Sequence, residues 1–194
     1  MALTPCTDLS AARWLVDDDQ PWARLVTTGP AGFPAYARLR FLPDPAYPGQ
    51  HEADVVTDDD APAEAEQLRT ALTALAGHTT TPGDCYFCVW EGWGRWLTEV
   101  FPAEVLAGPK VEVPGRAFHL FRGPLADFGP EAATAGWPDP AFVWPADRAW
   151  CVADDVDPHW AGIGGSEAAI AELLTTPGID VVRTTPDEAV PFYR

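Results

Sequence analysis

Three tryptophans stand within seven residues of this chain, in the segment Trp90-Glu-Gly-Trp-Gly-Arg-Trp96. An exposed indole stacks on a base, a sugar or a cationic group, whereas a buried indole fills the core. The glycines between the rings let the backbone turn sharply. We therefore take Trp90, Glu91, Trp93 and Trp96 as candidate binding residues, with covering of the core edge as the alternative.

A second aromatic segment, Trp144 to Trp150, contains Arg148 and is expected to extend the same face. The alternation in Phe33 to Leu42 predicts a strand that turns Arg38 away from the core. A guanidinium group can recognise an anion, although in so acidic a chain it is also a natural partner for internal carboxylates. Trp144, Arg148, Trp150 and Arg38 complete the predicted ligand or partner surface.

Three carboxylates and an imidazole follow a predicted strand in the segment Ala153-Asp-Asp-Val-Asp-Pro-His159. Oxygen-rich loops of this kind can hold Mg²⁺ or Ca²⁺, but the glycine and the distant glutamate of an EF-hand are missing. Clusters also arise by chance in a chain with 29 acidic residues. We expect no metal and no cofactor, and Asp154, Asp155 and Asp157 are the ligands to consider if a metal binds.

Cys85-Tyr-Phe-Cys88 has the spacing of redox and zinc motifs. The segment reads as a strand, however, and residues three apart in a strand point to opposite faces. We therefore predict separate, buried thiols.

Gly162-Ile-Gly-Gly-Ser166 precedes a predicted helix, where free backbone N–H groups can bind phosphate. The glycine pattern differs from that of the dinucleotide-binding turn, and no lysine of the P-loop kind follows. We interpret Ser166 as a helix cap. The nucleophile elbow G-x-S-x-G does not occur in the chain.

The formal net charge is −17, from 29 acidic and 12 basic residues spread along the whole chain. Such a field repels phosphate backbones and anionic membrane surfaces, so we expect neither nucleic acid nor a membrane as a partner. The sequence contains no stretch of 18 uncharged apolar residues, and its beginning does not resemble a secretory signal. These features predict a cytoplasmic protein with reduced thiols.

The order of predicted elements is helix, strand, helix, then several strands, and finally one helix and one strand. It departs from the regular alternation of a doubly wound fold. We predict a single α+β domain over residues 1–194, with a mostly antiparallel or mixed sheet and a few flanking helices. Pro124 to Pro145 is predicted to be one long loop.

Three stretches together resemble an uncharacterised family of actinobacterial proteins. They are Gly32–Leu39, His78–Gly94 and Trp144–Ala153, the last continued by Val156-Asp157 and Gly164-Gly-Ser166. The resemblance implies a cytoplasmic bacterial protein and brings no activity, cofactor or catalytic residue.

The leading functional hypothesis is a non-enzymatic binding or interaction domain that uses the tryptophan-rich face. Its partner would be a protein or a small molecule, and the negative field favours a basic partner. The alternative is an enzyme for a small polar substrate, with or without the help of a metal, that uses the acidic cluster with Glu91 and Arg38. The two hypotheses differ in whether these polar side chains converge on one pocket.

Overall fold

The computed structural model describes residues 3–56, 61–129 and 134–194. The strands of this part of the chain are β1 (Thr4–Pro5), β2 (Ala35–Arg40), β3 (Cys85–Trp90), β4 (Val111–Val113), β5 (Arg116–Gly123), β6 (Phe142–Pro145), β7 (Cys151–Ala153), β8 (Trp160–Gly165) and β9 (Asp180–Thr184). All pairings are antiparallel, in the order β1-β5-β3-β6-β7-β8-β2-β9, and β4 also pairs with β5.

Short helices flank this sheet. They are α1 (Arg13–Val16), α2 (Trp22–Thr28), α3 (Glu64–Leu75), α4 (Arg95–Val100), α5 (Ala103–Leu106) and α6 (Glu167–Leu173). The fold is therefore α+β with an antiparallel sheet, which confirms the predicted fold class. No helix in the described ranges is long and apolar enough to cross a membrane.

Both faces of the sheet are buried, because helices cover each of them. One apolar cluster joins α3 and α6 to Phe87 and Ile163, and the other joins α1 and α2 to Cys88 and Trp144. The alternation within a strand decides which residue enters which cluster. Cys85 accordingly lies in the first cluster and Cys88 in the second, which confirms that the two thiols diverge.

Helix α6 forms where the sequence predicted it, and α3 has the apolar spacing of a helix that packs on a core. Leu68, Leu72 and Leu75 recur at helical spacing in α3 and are buried. Ser166 caps α6, since its Oγ accepts a hydrogen bond from the Ala169 N–H at 3.1 Å. The glycine-rich segment before Ser166 is strand β8 and not a free phosphate-binding turn.

The predicted loop from Pro124 to Pro145 is wrong at its end, where Phe142–Pro145 forms the central strand β6. A strand buried on both faces shows no polar alternation, and this one is only four residues long. Its pattern is therefore indistinguishable from an apolar stretch of loop. Residues 130–133 of the same predicted loop lie outside the described part of the chain.

Candidate functional site

One end of the sheet gathers chain segments that are far apart in sequence. Strand β3 ends there at Trp90, β7 ends at Ala153 and β6 begins at Phe142. The pairing of Phe142 with Ala153 brings the residues before β6 beside the residues after β7. Side chains from both segments line a cleft of about 180 Å³.

This acidic cleft has carboxyl groups at its wall and rim and one indole beside them. It is lined by Asp139, Asp154, Asp155, Asp157, Glu52, Glu64, Trp93, Phe41 and His159, among others. The predicted acidic cluster and one of the predicted tryptophans thus belong to the same concave site. The structure settles their adjacency, which the sequence left open.

Asp139 and Asp154 are the partly buried carboxyl groups of the cleft. Burial raises the pKa of Asp139 to about 6, and the negative charge of Glu64 adds to that shift. Burial also raises the pKa of Asp154 well above its usual range, with further contributions from Asp139 and Glu64. Neither side chain makes a hydrogen bond or an ion pair with another described residue. The charge at this wall of the cleft is therefore uncompensated within the described chain.

Asp155 and Asp157 differ from Asp154 because both are paired with Arg116. The guanidinium donates to the two carboxylate oxygens of Asp155 at 3.2 and 3.1 Å and to Asp157 at 3.2 Å. Its Cζ lies 4.7 Å from the ring centroid of Trp90 and 5.7 Å from that of Trp22. Arg116 thereby neutralises one side of the acidic run and leaves Asp154 without a cation.

His159 closes another side of the cleft and connects it to Arg38. The His159 Nε2 lies 3.4 Å from Asp44 Oδ1, and Arg38 donates to both oxygens of Asp44 at 2.7 and 2.9 Å. Burial lowers the pKa of His159, so its imidazole is neutral at pH 7. Arg38 is itself buried, and its guanidinium lies 5.3 Å from the Trp160 centroid. It therefore acts inside the protein rather than as an exposed anion receptor.

The tryptophans that follow β3 form a continuous edge-to-face series. The Trp90 and Trp93 centroids are 6.1 Å apart, and those of Trp93 and Trp96 are 5.2 Å apart. Trp96 is the exposed member, and its Nε1 donates to the Gly136 carbonyl oxygen at 3.0 Å. Trp93, between them, is half-buried and lines the acidic cleft.

The second aromatic segment does not extend this series, which corrects the predicted single face. Trp144 and Trp150 are fully buried, on opposite faces of the sheet, because they sit in strand β6 and just before strand β7. Trp144 stacks on Tyr86 with centroids 5.5 Å apart. Arg148 is exposed, but it lies over Trp14 and away from the acidic cleft.

Glu91 is also separate from the acidic cleft, because its carboxylate forms an ion pair with Lys110. Convergence of Glu91, Arg38 and the three aspartates on one pocket would favour the enzymatic alternative, and their separation would weigh against it. The structure brings the aspartates together and places Arg38 behind Asp44. It leaves Glu91 outside the cleft.

In the described part of the chain, no group of three or more His, Cys, Asp or Glu side chains is arranged to hold a metal ion. Two of the three aspartates that the sequence offered as ligands are turned toward Arg116 instead.

Asp139 and Glu64 belong to the acidic cleft but were not predicted as site residues from the sequence. Asp139 lies between Pro138 and Pro140, and only these flanking prolines mark it, since they hold the chain extended at that point. Glu64 is the first residue of α3, where a carboxylate is common for reasons of helix dipole alone. Neither carries a local signal that would place it beside Asp154.

The comparisons with known proteins bring no family to this site: no protein-family model, no curated protein and no solved structure matches the chain.

Proposed function

We propose that this protein is a binding domain whose acidic cleft receives a cationic group. The group would be the ammonium or guanidinium of a basic partner protein or of a small cationic molecule. The observation that carries the proposal is that one cleft holds the Trp93 indole beside Asp139 and Asp154, two carboxyl groups that no cation among the described residues neutralises.

The electrostatics of the cleft favour a cation. Carboxyl groups whose pKa is raised by burial and by neighbouring carboxylates are more stable once an opposite charge lies beside them. A cation within about 6 Å of an indole face gains further attraction from the ring. Arg116 already shows this combination inside the protein, held by two aspartates and lying over Trp90. The acidic cleft offers a similar environment to an incoming group.

The charge of the whole molecule supports the same proposal. A net charge of −17 attracts basic partners over long range and speeds their association at low salt. The field also works against anionic ligands.

Titration calorimetry with an oligo-lysine peptide, arginine amide and 1,4-diaminobutane tests the proposal. At least one of these cations should bind, and Asp154→Asn should weaken its affinity about tenfold, since a charged hydrogen bond contributes about 1.5–3 kcal/mol. Asp19→Asn makes the same change in net charge at an exposed site outside the cleft and should bind as wild type does. Equal weakening of binding by both variants would show that only the net charge of the protein, and not the acidic cleft, attracts the cation. A failure of all three cations to bind would overturn the proposal.

Trp93→Leu separates the aromatic contribution from the charge. We expect it to weaken cation binding about threefold to tenfold, whereas Trp96→Leu, outside the cleft, should leave binding unchanged. If Trp96→Leu weakens binding instead, the aromatic part of the site lies on the exposed end of the series.

A second function is favoured by one observation, the pKa of about 6 for Asp139 beside the raised pKa of Asp154. A carboxyl group with a pKa of about 6 can hold or release a proton close to neutral pH, which suits general acid–base catalysis on a small substrate. Such an enzyme would lose turnover in both Asp139→Asn and Asp154→Asn. A panel of activated ester and glycoside substrates tests this enzymatic function. Turnover by the wild-type protein that is no faster than turnover by the two variants would rule it out for these substrates.

A further inference from the structure

The outer edge of strand β5 is covered in two separate pieces. Strand β1 pairs with Phe121 and Arg122, and the Cys6 N–H continues to the Leu120 carbonyl oxygen at 2.8 Å. Strand β4 pairs with Arg116 through Phe118. His119 is therefore the position of β5 that falls between the two edge strands.

A cavity of about 230 Å³ opens at this gap, on the sheet edge and apart from the acidic cleft. Its apolar lining comes from Pro5 before the gap, Val105 of α5 and Pro109 before β4. His119 lines the same cavity, although its residue surface is only 4% exposed. No side chain or backbone group among the described residues makes a hydrogen bond to its imidazole.

The His119 ring nitrogens are not among the fully enclosed polar atoms that lack a partner, so they remain accessible although most of the residue is buried. An accessible imidazole nitrogen without a partner among the described residues is available to a ligand. The proline and valine walls offer contact to an apolar body. Together with Cys6, Thr7 and Glu104, which also line the cavity, they form a site with apolar walls and a few polar groups, which is the usual composition of a small-molecule pocket.

We propose that this cavity, the His119 pocket, binds a small uncharged ring compound that carries one hydroxyl group, of the phenol class. The hydroxyl donates a hydrogen bond to an imidazole nitrogen of His119, and the ring lies against Pro5, Val105 and Pro109. The proposal is independent of the acidic cleft and of the function assigned to it.

Size and charge select this class. A cavity of about 150 Å³ lined by aliphatic side chains admits benzene, so the larger His119 pocket accommodates one ring with a small substituent. Burial and the nearby Lys110 lower the pKa of His119, so the imidazole is neutral and keeps an acceptor nitrogen at pH 7. Glu104, which lines the cavity, and the net negative charge oppose an anion, and Lys110, whose charge acts on His119, opposes a cation.

Ligand-detected NMR with 4-methylphenol and toluene tests the proposal on the full chain. The two probes have almost the same shape and differ in the hydroxyl group. We expect 4-methylphenol to bind the wild-type protein and His119→Leu to weaken that binding about tenfold, the value of one hydrogen bond. Binding of toluene should be unchanged in His119→Leu, and His119→Gln should recover part of the phenol affinity.

A second variant locates the probe. Val105→Trp fills the cavity from α5 and should abolish binding of both probes, while the near-UV circular dichroism of each variant confirms that it is folded. The proposal is overturned if 4-methylphenol does not bind, if it binds Val105→Trp as well as wild type, or if His119→Leu weakens both probes equally.

Discussion

The backbone N–H of Asp154 donates to the carbonyl oxygen of Ala141 at 2.9 Å. This bond extends the pairing of β6 with β7 by one residue and fixes Asp154 beside the segment that carries Asp139. Two carboxyl groups thus meet because two strand ends are hydrogen-bonded. The central strands of the sheet keep the two carboxyl groups close together despite their electrostatic repulsion.

Replacement of Asp139 by Asn should stabilise the protein at alkaline pH. The pKa of Asp139 is about 6 in the folded chain, against 3.8 for an unperturbed aspartate, so the folded state binds its proton more tightly than the unfolded state does. The ionised group therefore destabilises the fold above about pH 6. We expect Asp139→Asn to raise the free energy of unfolding by about 1–3 kcal/mol at about pH 8, measured by urea denaturation.

The pH dependence of the stability gained in Asp139→Asn checks its cause. The gain in free energy of unfolding should shrink as the pH falls through about 6 and vanish near pH 4, where the carboxyl group is protonated in both the folded and the unfolded state. Asp19→Asn, at an exposed site, should show no such dependence. A gain that is constant with pH would mean that charge in the acidic cleft is not its cause.

Asp44→Asn should have the opposite effect. The buried Arg38 guanidinium and Arg40 hold the pKa of Asp44 at about 2, and His159 also contacts it. Removing the carboxylate leaves the Arg38 charge buried without its partner, at a cost of about 2–4 kcal/mol in the free energy of unfolding. The contribution of Asp44 is complete above about pH 4 and is lost as the pH falls toward 2.

Asp187→Asn is the matched control for Asp44→Asn. Asp187 also pairs with an arginine, Arg24, but its side chain is 88% exposed. Exposed pairs contribute little, so the control should unfold within about 0.5 kcal/mol of wild type. Similar losses in the two variants would show that the Arg38–Asp44 pair is no more than a surface contact.

Gly162→Ala should destabilise the protein strongly. A Cβ at Gly162 would lie 2.5 Å from the Thr27 carbonyl oxygen and 2.6 Å from Thr28 Cα, so helix α2 would have to move away from β8. We expect a loss of about 3 kcal/mol or more in chemical denaturation. At Gly165 the nearest atom would be 3.4 Å away, and Gly165→Ala should cost no more than about 1 kcal/mol.

Only one of the four cysteines should react with a thiol reagent in the native protein. Cys6 is partly exposed, whereas Cys85, Cys88 and Cys151 are buried with raised pKa values. The native protein should therefore modify at Cys6 alone, slowly because burial also raises the pKa of that thiol, and Cys6→Ser should abolish the reaction. Fast modification of a second thiol in Cys6→Ser would show that one of the three strand cysteines is accessible.

Local features of the sequence determined which elements form and which faces they present. The alternation in β2 separates Leu39 from Arg38, the same alternation divides Cys85 from Cys88, and the spacing of Leu68, Leu72 and Leu75 defines α3. Each of these patterns is a property of a few consecutive residues, because strand and helix periods are set by backbone geometry. The α+β class, with a mostly antiparallel or mixed sheet, followed from their order.

Only the tertiary structure decided which of these residues meet. Sequence patterns did not predict that Trp144 and Trp150 are buried or that Asp155 and Asp157 pair with Arg116. They also did not predict that Asp139 lies beside Asp154. These outcomes depend on the pairing of strands that are distant along the chain, and a central strand such as β6 has no local pattern to announce its neighbours. The acidic cleft exists because the ends of several strands coincide, and the hydrogen bonds that align those ends join residues that are not neighbours in sequence.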